Sequence, residues 1–495
     1  MLNLLLVKLG TEPGLESIPT IIKCLNPNIR TFGVVGSPDQ KNEFDVVVSS
    51  SYEAMLGAHA EYLDQGLFVR PELFQSIAGF EGQIIRMYER VAIHDLTSVK
   101  TPPLPVPKFV DSVDDRAQLF LRQVAFWDHA LSLHQIDAVV AQNYGHNGWD
   151  AVLQVVAQAR GLPYLFFHEV RPFLSTLYVH EHLHQLGSLS LGRDLVNTAK
   201  EKGAYVPDST DRIIRMVGQM GMEPVPSAEA SSEKESKHQW LKRRVGNPVL
   251  LPLRLLKSFK RRRNNRLSKK DEFGAQSKKP IPDNYVFCEL QSQPNATTAI
   301  KGWMFPDQRE SVAMVAKHLP KGWSLVVKES DRQWSRMYPR RRNFWTQIAA
   351  IPKVHVAPHG FSSMSLLADS KALVETSYST LALQAIHKGI PVVALGHSHI
   401  TSLKNVHSVE NEQELIDALG VVALNNNSKI PANEIEDDLK DLLEETISST
   451  LEGTLSGMPK FDDEPKKSEY VHRLTTNVSL VITVWLAARL PNQCK

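Results

Sequence analysis

Apolar runs alternate with amphipathic stretches along most of this chain. In the first 225 residues the runs are TFGVVG (31–36), DVVVSS (45–50), IDAVVAQ (136–142) and PYLFFHE (163–169), with the helix-periodic AVLQVVAQARG (151–161) between the last two. Continuous β-branched runs separated by amphipathic helices predict parallel strands covered on both faces, and Asp137 to Glu169 reads as one βαβ unit. The opening MLNLLLVKLG has an apolar run too short for a signal peptide and meets Lys8 where more hydrophobicity is needed, so it predicts a buried strand.

A second alternation begins at Asn284. NYVFCEL, WSLVVKE, KVHVAP, ALVET and PVVALG read as strands, and DQRESVAMVAKHL, RRNFWTQIAAI, FSSMSLLADS and STLALQAIHKG as the helices between them. That pattern predicts a doubly wound, Rossmann-like domain. No G-x-G-x-x-G follows any of these strands, so the dinucleotide fingerprint is missing. The closing LTTNVSLVITVWLAARL offers roughly fifteen residues between charges, short of the roughly 20 a spanning helix needs, and predicts a helix docked on a domain.

Between the two alternations the composition changes twice. PVPSAEASSEKESKHQ (224–239) reads as a solvated linker, and WLKRRVGNPVLLPLRLLKSFKRRRNNRLSKK (240–270) then mixes bulky apolar residues with dense Lys and Arg. Two readings of residues 242–270 stay open: a basic connector, or an anchor on an anionic membrane surface. No nucleic-acid motif accompanies the patch. The expected organisation is α/β: a Rossmann-like acceptor-side domain over 1–225, a polar then basic linker over 226–282, a Rossmann-like nucleotide-sugar domain over 283–465 and a terminal helix over 466–495. Two doubly wound domains joined this way describe a GT-B-type arrangement.

Size and charge fit that plan. A chain of 495 residues, 42% of them hydrophobic, can bury two cores, and a formal net charge of +2 implies no polyanionic partner for the whole molecule. Cys24, Cys288 and Cys494 are widely spaced and odd in number, which points to a reducing cytoplasm.

Ligands of open α/β sheets bind beyond the carboxyl ends of the strands. Those ends are polar here: Gln291-Ser292-Gln293-Pro294-Asn295-Ala296-Thr297-Thr298, Lys328-Glu329-Ser330-Asp331 and Thr376-Ser377-Tyr378-Ser379-Thr380. A helix starting at Ser379 or Thr380 presents free N–H groups and a positive dipole end to a phosphate. The plainer role for Ser379 or Thr380 is an N-cap. Lys328 is either a point charge completing an anion pocket or an ordinary strand-terminal lysine.

In these loops the sequence resembles the capsular polysaccharide biosynthesis proteins, a group that includes bacterial Kdo transferases. The resemblance is carried by Gln291 to Thr298, Leu319-Pro320-Lys321-Gly322-Trp323, Lys328 to Asp331, Thr376 through Ala385, and Gly389-Ile390-Pro391-Val392. Asn295, Ser330-Asp331 and Gln384 stand where the family pattern has Glu, His-Pro and Glu, so one expected phosphate donor becomes a neutral hydroxyl. The resemblance implies a nucleotide-sugar donor, CMP-linked in the Kdo enzymes, bound by Gln291, Gln293, Asn295, Thr297, Lys328, Glu329, Ser330, Thr376, Ser377, Ser379, Thr380 and Gln384. It also implies a saccharide or lipid-linked saccharide acceptor, no cofactor and no metal. A cytoplasmic location, with contact at the inner face of the plasma membrane, follows from the same reading.

Glycosyl transfer needs a group that takes the acceptor proton. His146, Asp150 and Glu169 qualify by their positions after strands of the first half; Asp150 can equally cap the helix at 151, and Arg171 can meet an acidic group. His180, Glu181, His182 and His184 satisfy H-E-x-x-H if the segment is helical, which would suit zinc, whereas a strand would set the three histidines on one side. The sequence therefore points to a glycosyltransferase of surface-polysaccharide assembly. A polyol-phosphate transferase of the teichoic-acid kind and a non-catalytic saccharide-binding protein are the alternatives.

Overall fold

The computed structural model describes residues 1–11, 14–36, 43–56, 69–77, 113–145, 148–170, 176–182, 185, 188–205, 251–293, 298, 301–302, 305–330, 333, 340–376, 379–396, 398, 400–401, 403–424, 432–452, 455 and 464–492. The chain divides into two compact units. One comprises residues 1–89, 109–219 and 440–495, the other residues 90–108 and 220–439.

The first unit is built on a sheet whose order is β13-β6-β5-β4-β1-β2-β3. Its strands are β1 (Leu2–Val7), β2 (Ile29–Val35), β3 (Val46–Ser50), β4 (Ala138–Ala141), β5 (Tyr164–Val170), β6 (Thr176–His180) and β13 (Leu451–Glu452). β1 to β5 pair in parallel. The opening segment is the middle one of these five parallel strands, and Leu4, Leu5 and Leu6 are buried on both of its faces as a parallel sheet requires. At one edge the pattern changes: β6 runs antiparallel to β5, and β13 antiparallel to β6.

One face of this sheet is covered by helices α1 (Ile18–Leu25), α6 (Ser190–Glu201) and α14 (Glu464–Arg489). On the way lie α2 (Ser51–Leu56), α3 (Pro71–Ile77), α4 (Val113–Leu133) and α5 (Trp149–Ala159). The closing apolar run of the sequence is the docked part of α14, where Leu474, Val478, Val481, Ile482, Trp485 and Leu486 join Leu4, Leu6, Phe167 and Val179 in one core. Among the described residues no helix is long and apolar enough to cross a membrane.

The second unit holds a sheet ordered β12-β11-β10-β7-β8-β9, parallel throughout. Its strands are β7 (Tyr285–Leu290), β8 (Ser324–Glu329), β9 (Val354–Val356), β10 (Leu373–Thr376), β11 (Val392–Leu395) and β12 (Val406–Val409). Counted within the unit from the β9 edge, the order is 3-2-1-4-5-6, that of dinucleotide-binding Rossmann sheets, and it reverses between β7 and β10. The five strands legible in the sequence are present. β12, with its polar His407 and Ser408, is a sixth whose short, mixed pattern gives no strand signal.

Helices of this unit are α7 (Leu251–Ala275), α8 (Gln308–His318), α9 (Phe344–Ala349), α10 (Ser363–Ala368), α11 (Thr380–His387), α12 (Glu412–Leu424) and the start of α13 (Ala432–Ser449). α7 begins inside the basic stretch and runs five residues past it, and its second half is fastened to the domain: Asp271 accepts from the backbone N–H groups of Trp345 and Thr346 at 2.9 and 3.2 Å, and Ser268 from that of Arg340 at 3.1 Å.

Candidate functional site

The reversal between β7 and β10 opens the carboxyl ends of two neighbouring strands. Two residues beyond the paired Phe287 and Leu373 come Glu289 and Glu375, and Glu289 is in register with Lys328 of β8. The three charges therefore form a row on one face of the sheet. The Lys328 ammonium sits 3.7 Å from Glu289 and donates to the Glu329 carbonyl at 3.1 Å, with the lysine side chain only 1% exposed. The Ser363 hydroxyl also donates to Glu289. Lys328 is thus a buried counter-charge to Glu289, neither a surface lysine nor a cation facing open solvent.

Ser379 resolves why hydroxyls gather at the joint between β10 and α11. Its oxygen accepts from the N–H groups of Leu381 and Ala382 at 3.1 and 3.4 Å, capping the helix, while its own hydroxyl and N–H donate to Glu375 at 2.5 and 2.9 Å. Burial pushes the Glu375 carboxyl up to about 8; the Ser379 bonds pull the other way, and Glu289 adds a further push. Thr380, the first residue of α11, is exposed, whereas Thr376 and Gln384 are buried. Asn295, Thr297 and Ser377 lie outside the described residues.

On the opposite face, Arg340 gathers the loops. Its guanidinium forks onto the Glu329 carboxylate at 2.8 and 2.6 Å, with both side chains almost fully buried. It also donates to the Gln291 carbonyl at 2.9 Å and to the side-chain oxygens of Gln293 and Gln308, each at 3.2 Å. Gln293 takes its second anchor from its own N–H, which donates to Gln333 at 2.8 Å, and the Ser330 hydroxyl lies 3.3 Å from that of Ser292. One arginine thereby holds the ends of β7 and β8 in a fixed relation, since a planar, five-donor fork satisfies a carboxylate and carbonyls at once. No local signal marks Arg340 in the sequence, where it reads as one of several basic residues ahead of α9. Glu375 was more legible: a carboxylate closes an otherwise apolar run, four residues before a capping serine.

A third segment crosses these ends. At Gly396, whose φ is +88°, an added Cβ would fall 2.3 Å from the Lys301 carbonyl oxygen, and at Gly302 it would fall 2.3 Å from that of Thr298. Only glycine permits backbones this close. Lys301 is buried at the crossing, and burial draws its ammonium down to about 7.

The first unit has its own reversal, between β1 and β4. Beyond β1, Lys8 adopts a left-handed backbone at φ 60°, and its ammonium lies 3.3 Å from Asp150 and 5.0 Å from the centre of the Trp149 ring. Asp150 also accepts from the Ala151 N–H at 3.0 Å, so its carboxylate clasps the end of β1 to the start of α5. His168 is buried among rings, its centre 5.3 Å from Tyr144 and 6.1 Å from both Tyr178 and His180. Glu169 is half-buried near the end of β5. His146 and Arg171 lie outside the described residues.

Of the two readings of His180 to His184, the strand holds as far as His180. Beyond it, Glu181 receives Trp485 Nε1 at 2.7 Å and Arg489 at 2.5 and 2.6 Å, which fastens α14 to the end of β6. His182 meets the Gln158 amide at 3.1 Å, and His184 lies outside the described residues. Among the described residues no group of three metal-ligating side chains gathers.

No protein-family model matches the chain, and no curated protein matches it. Solved structures with a likeness include the UDP-GlcNAc 2-epimerase of Methanocaldococcus jannaschii, at 12% identity over 90% of this chain and 99% of that one with a TM-score of 0.26. CalG4, the calicheamicin glycosyltransferase, aligns at 13% identity over 99% of both chains with a TM-score of 0.22. KpsC of Thermosulfurimonas dismutans, a β-Kdo 2,7 transferase, aligns at 12% identity over 64% of this chain and 89% of that one with a TM-score of 0.27. The strand orders above, rather than these overlays, establish the fold.

Proposed function

We propose that this chain is a glycosyltransferase of bacterial surface-polysaccharide assembly, moving a sugar from a nucleotide donor to a saccharide or lipid-linked saccharide acceptor. One observation carries the reading: strand ends that bear the capsular motif residues meet at the reversal of a 3-2-1-4-5-6 sheet, where ligands of such sheets bind, and Arg340 ties those of β7 and β8 together. In this reading the donor phosphate, CMP-linked by the resemblance, takes hydrogen bonds from Ser292, Ser330 and Thr380. As the acceptor oxygen attacks, the bond from the anomeric carbon to the phosphate oxygen breaks, and those donors stabilise the charge left on the phosphate. Transfer also needs a base for the acceptor proton, and Glu169 and His146 are our candidates for it. Asp150, already clasped by Lys8, is the weaker choice.

A second reading, a saccharide-binding protein without turnover, has two observations in its favour: Ser330 and Gln384 replace ionisable groups of the motif, and Lys328 is paired with Glu289. Thermal shift with CMP, CDP, UDP and GDP, followed by turnover on nucleotide sugars and cytidine-linked polyol phosphates, separates the cases, because a ligand of the native state raises apparent stability. A cytidine nucleotide is expected to raise the melting temperature, and Ser330→Ala to weaken it by about tenfold or more, the loss of a hydrogen bond to a charged group. Failure of every nucleotide to stabilise the protein overturns the proposal. Binding without turnover on any donor selects the second reading.

A further inference from the structure

The outer face of α7 has a composition that the transfer reaction does not use. Over Leu251–Lys270 the helix contains no acidic residue, and the first acids, Asp271 and Glu272, turn inward, where Asp271 holds α9 and Glu272 is buried. Ser268 and Asp271 fix which side faces the domain. On the other side, Phe259 is 70% exposed, Leu267 49% and Phe273 56%, and Arg262, Arg263, Arg266 and Lys270 are exposed beside them. Steps of three, four and seven residues from Phe259 through Arg262, Arg263, Arg266 and Lys270 to Phe273 keep this set on one stripe, about 20 Å long at 1.5 Å per residue.

We propose that this stripe docks the protein on the surface of an anionic lipid bilayer, with α7 lying in the interface plane. Three bulky apolar side chains left in water cost free energy that insertion among acyl chains recovers. Four cations with no acidic neighbour on the stripe complement an anionic leaflet, and their long stems lie along apolar surface while the charged heads stay at the headgroups. A single-stranded nucleic acid would also meet cations and rings, but such proteins track the strand along a groove, whereas this stripe is one side of a single helix. The inference does not depend on the transfer reaction.

Flotation of the full chain with vesicles tests it. The protein is expected to float with phosphatidylcholine–phosphatidylserine vesicles, to be released as salt rises, and to bind pure phosphatidylcholine far less. Replacing Arg262, Arg263, Arg266 and Lys270 together by Gln is expected to lower partitioning by about a hundredfold or more, at roughly fivefold per cation. Phe259→Ser with Phe273→Ser lowers binding while leaving its salt dependence in place. Circular dichroism of both variants unchanged from the natural protein shows that the fold is intact. Equal binding to neutral vesicles, undiminished binding of the four-Gln variant, or capture of a single-stranded oligonucleotide with no vesicle binding would each overturn the proposal.

Discussion

Glu329 and Arg340 show how much one residue pair decides in the second unit. The pair is buried and bidentate, and the guanidinium also serves the carbonyl of Gln291 and the amide oxygens of Gln293 and Gln308. Removing one partner leaves a buried charge uncompensated, which costs far more than the pair itself contributes. Arg340→Met is therefore expected to destabilise the second unit by about 3–5 kcal/mol in urea unfolding. Arg340→Lys should recover little, since an ammonium cannot fork onto a carboxylate and reach two loops. A loss under about 1 kcal/mol for Arg340→Met would show the pair to be replaceable by ordinary packing. Ser379 carries the same lesson on a smaller scale: a single hydroxyl caps α11 and binds Glu375, so the hydroxyl-rich joint is first of all a device for ending a strand and starting a helix.

Among elements, α14 forms and docks as its apolar run predicts, but distant parts of the chain decide what it packs on. α14 supplies Val478, Val481, Ile482 and Trp485 to a core begun by β1 near the other end of the chain, and its last turn is fastened by Glu181. Trp485 is fully buried and its indole N–H is satisfied, so Trp485→Ala removes both packing and a hydrogen bond. The expected cost is about 3–5 kcal/mol, measured as a lower urea midpoint, with the larger part due to the cavity. Trp485→Phe should cost less, because it keeps most of the volume. A Trp485→Ala protein as stable as the natural one would mean that α14 contributes little to the first unit.

For the whole molecule, two buried ionisable groups shape stability against pH in opposite directions. Glu375 is raised from 4.5 to about 8, so the folded state holds its proton more tightly than the unfolded chain; its contribution falls as pH rises from the unfolded value to about 8. Lys301 is lowered from 10.5 to about 7, so the unfolded chain binds more protons between those values and stability rises across that window. The sum predicts a minimum in the urea midpoint between about pH 7 and 8, where the two opposite slopes cancel. Glu375→Gln should remove the acid-side decline and Lys301→Met the alkaline-side rise; profiles unchanged in both variants would contradict the assignment. Hydrophobic periodicity, a signal carried by neighbouring residues, was enough to mark five strands of each sheet, the helices between those of the second unit and the docked terminal helix. It was silent on β12, whose four residues include two polar ones, and on the antiparallel hairpin of β5 and β6, because a strand's direction leaves no mark on its own side chains. The motif loops, too, were legible, as polar residues placed where an apolar run stops. What held them was not: Arg340 meets Gln291 across 49 residues and Arg489 meets Glu181 across 308, and such pairings exist only once the sheets have ordered their strands and brought distant ends together. Strand order, burial of charge and the outward turn of the Phe259–Phe273 stripe were decided in three dimensions, because each depends on which surfaces other parts of the chain have already covered.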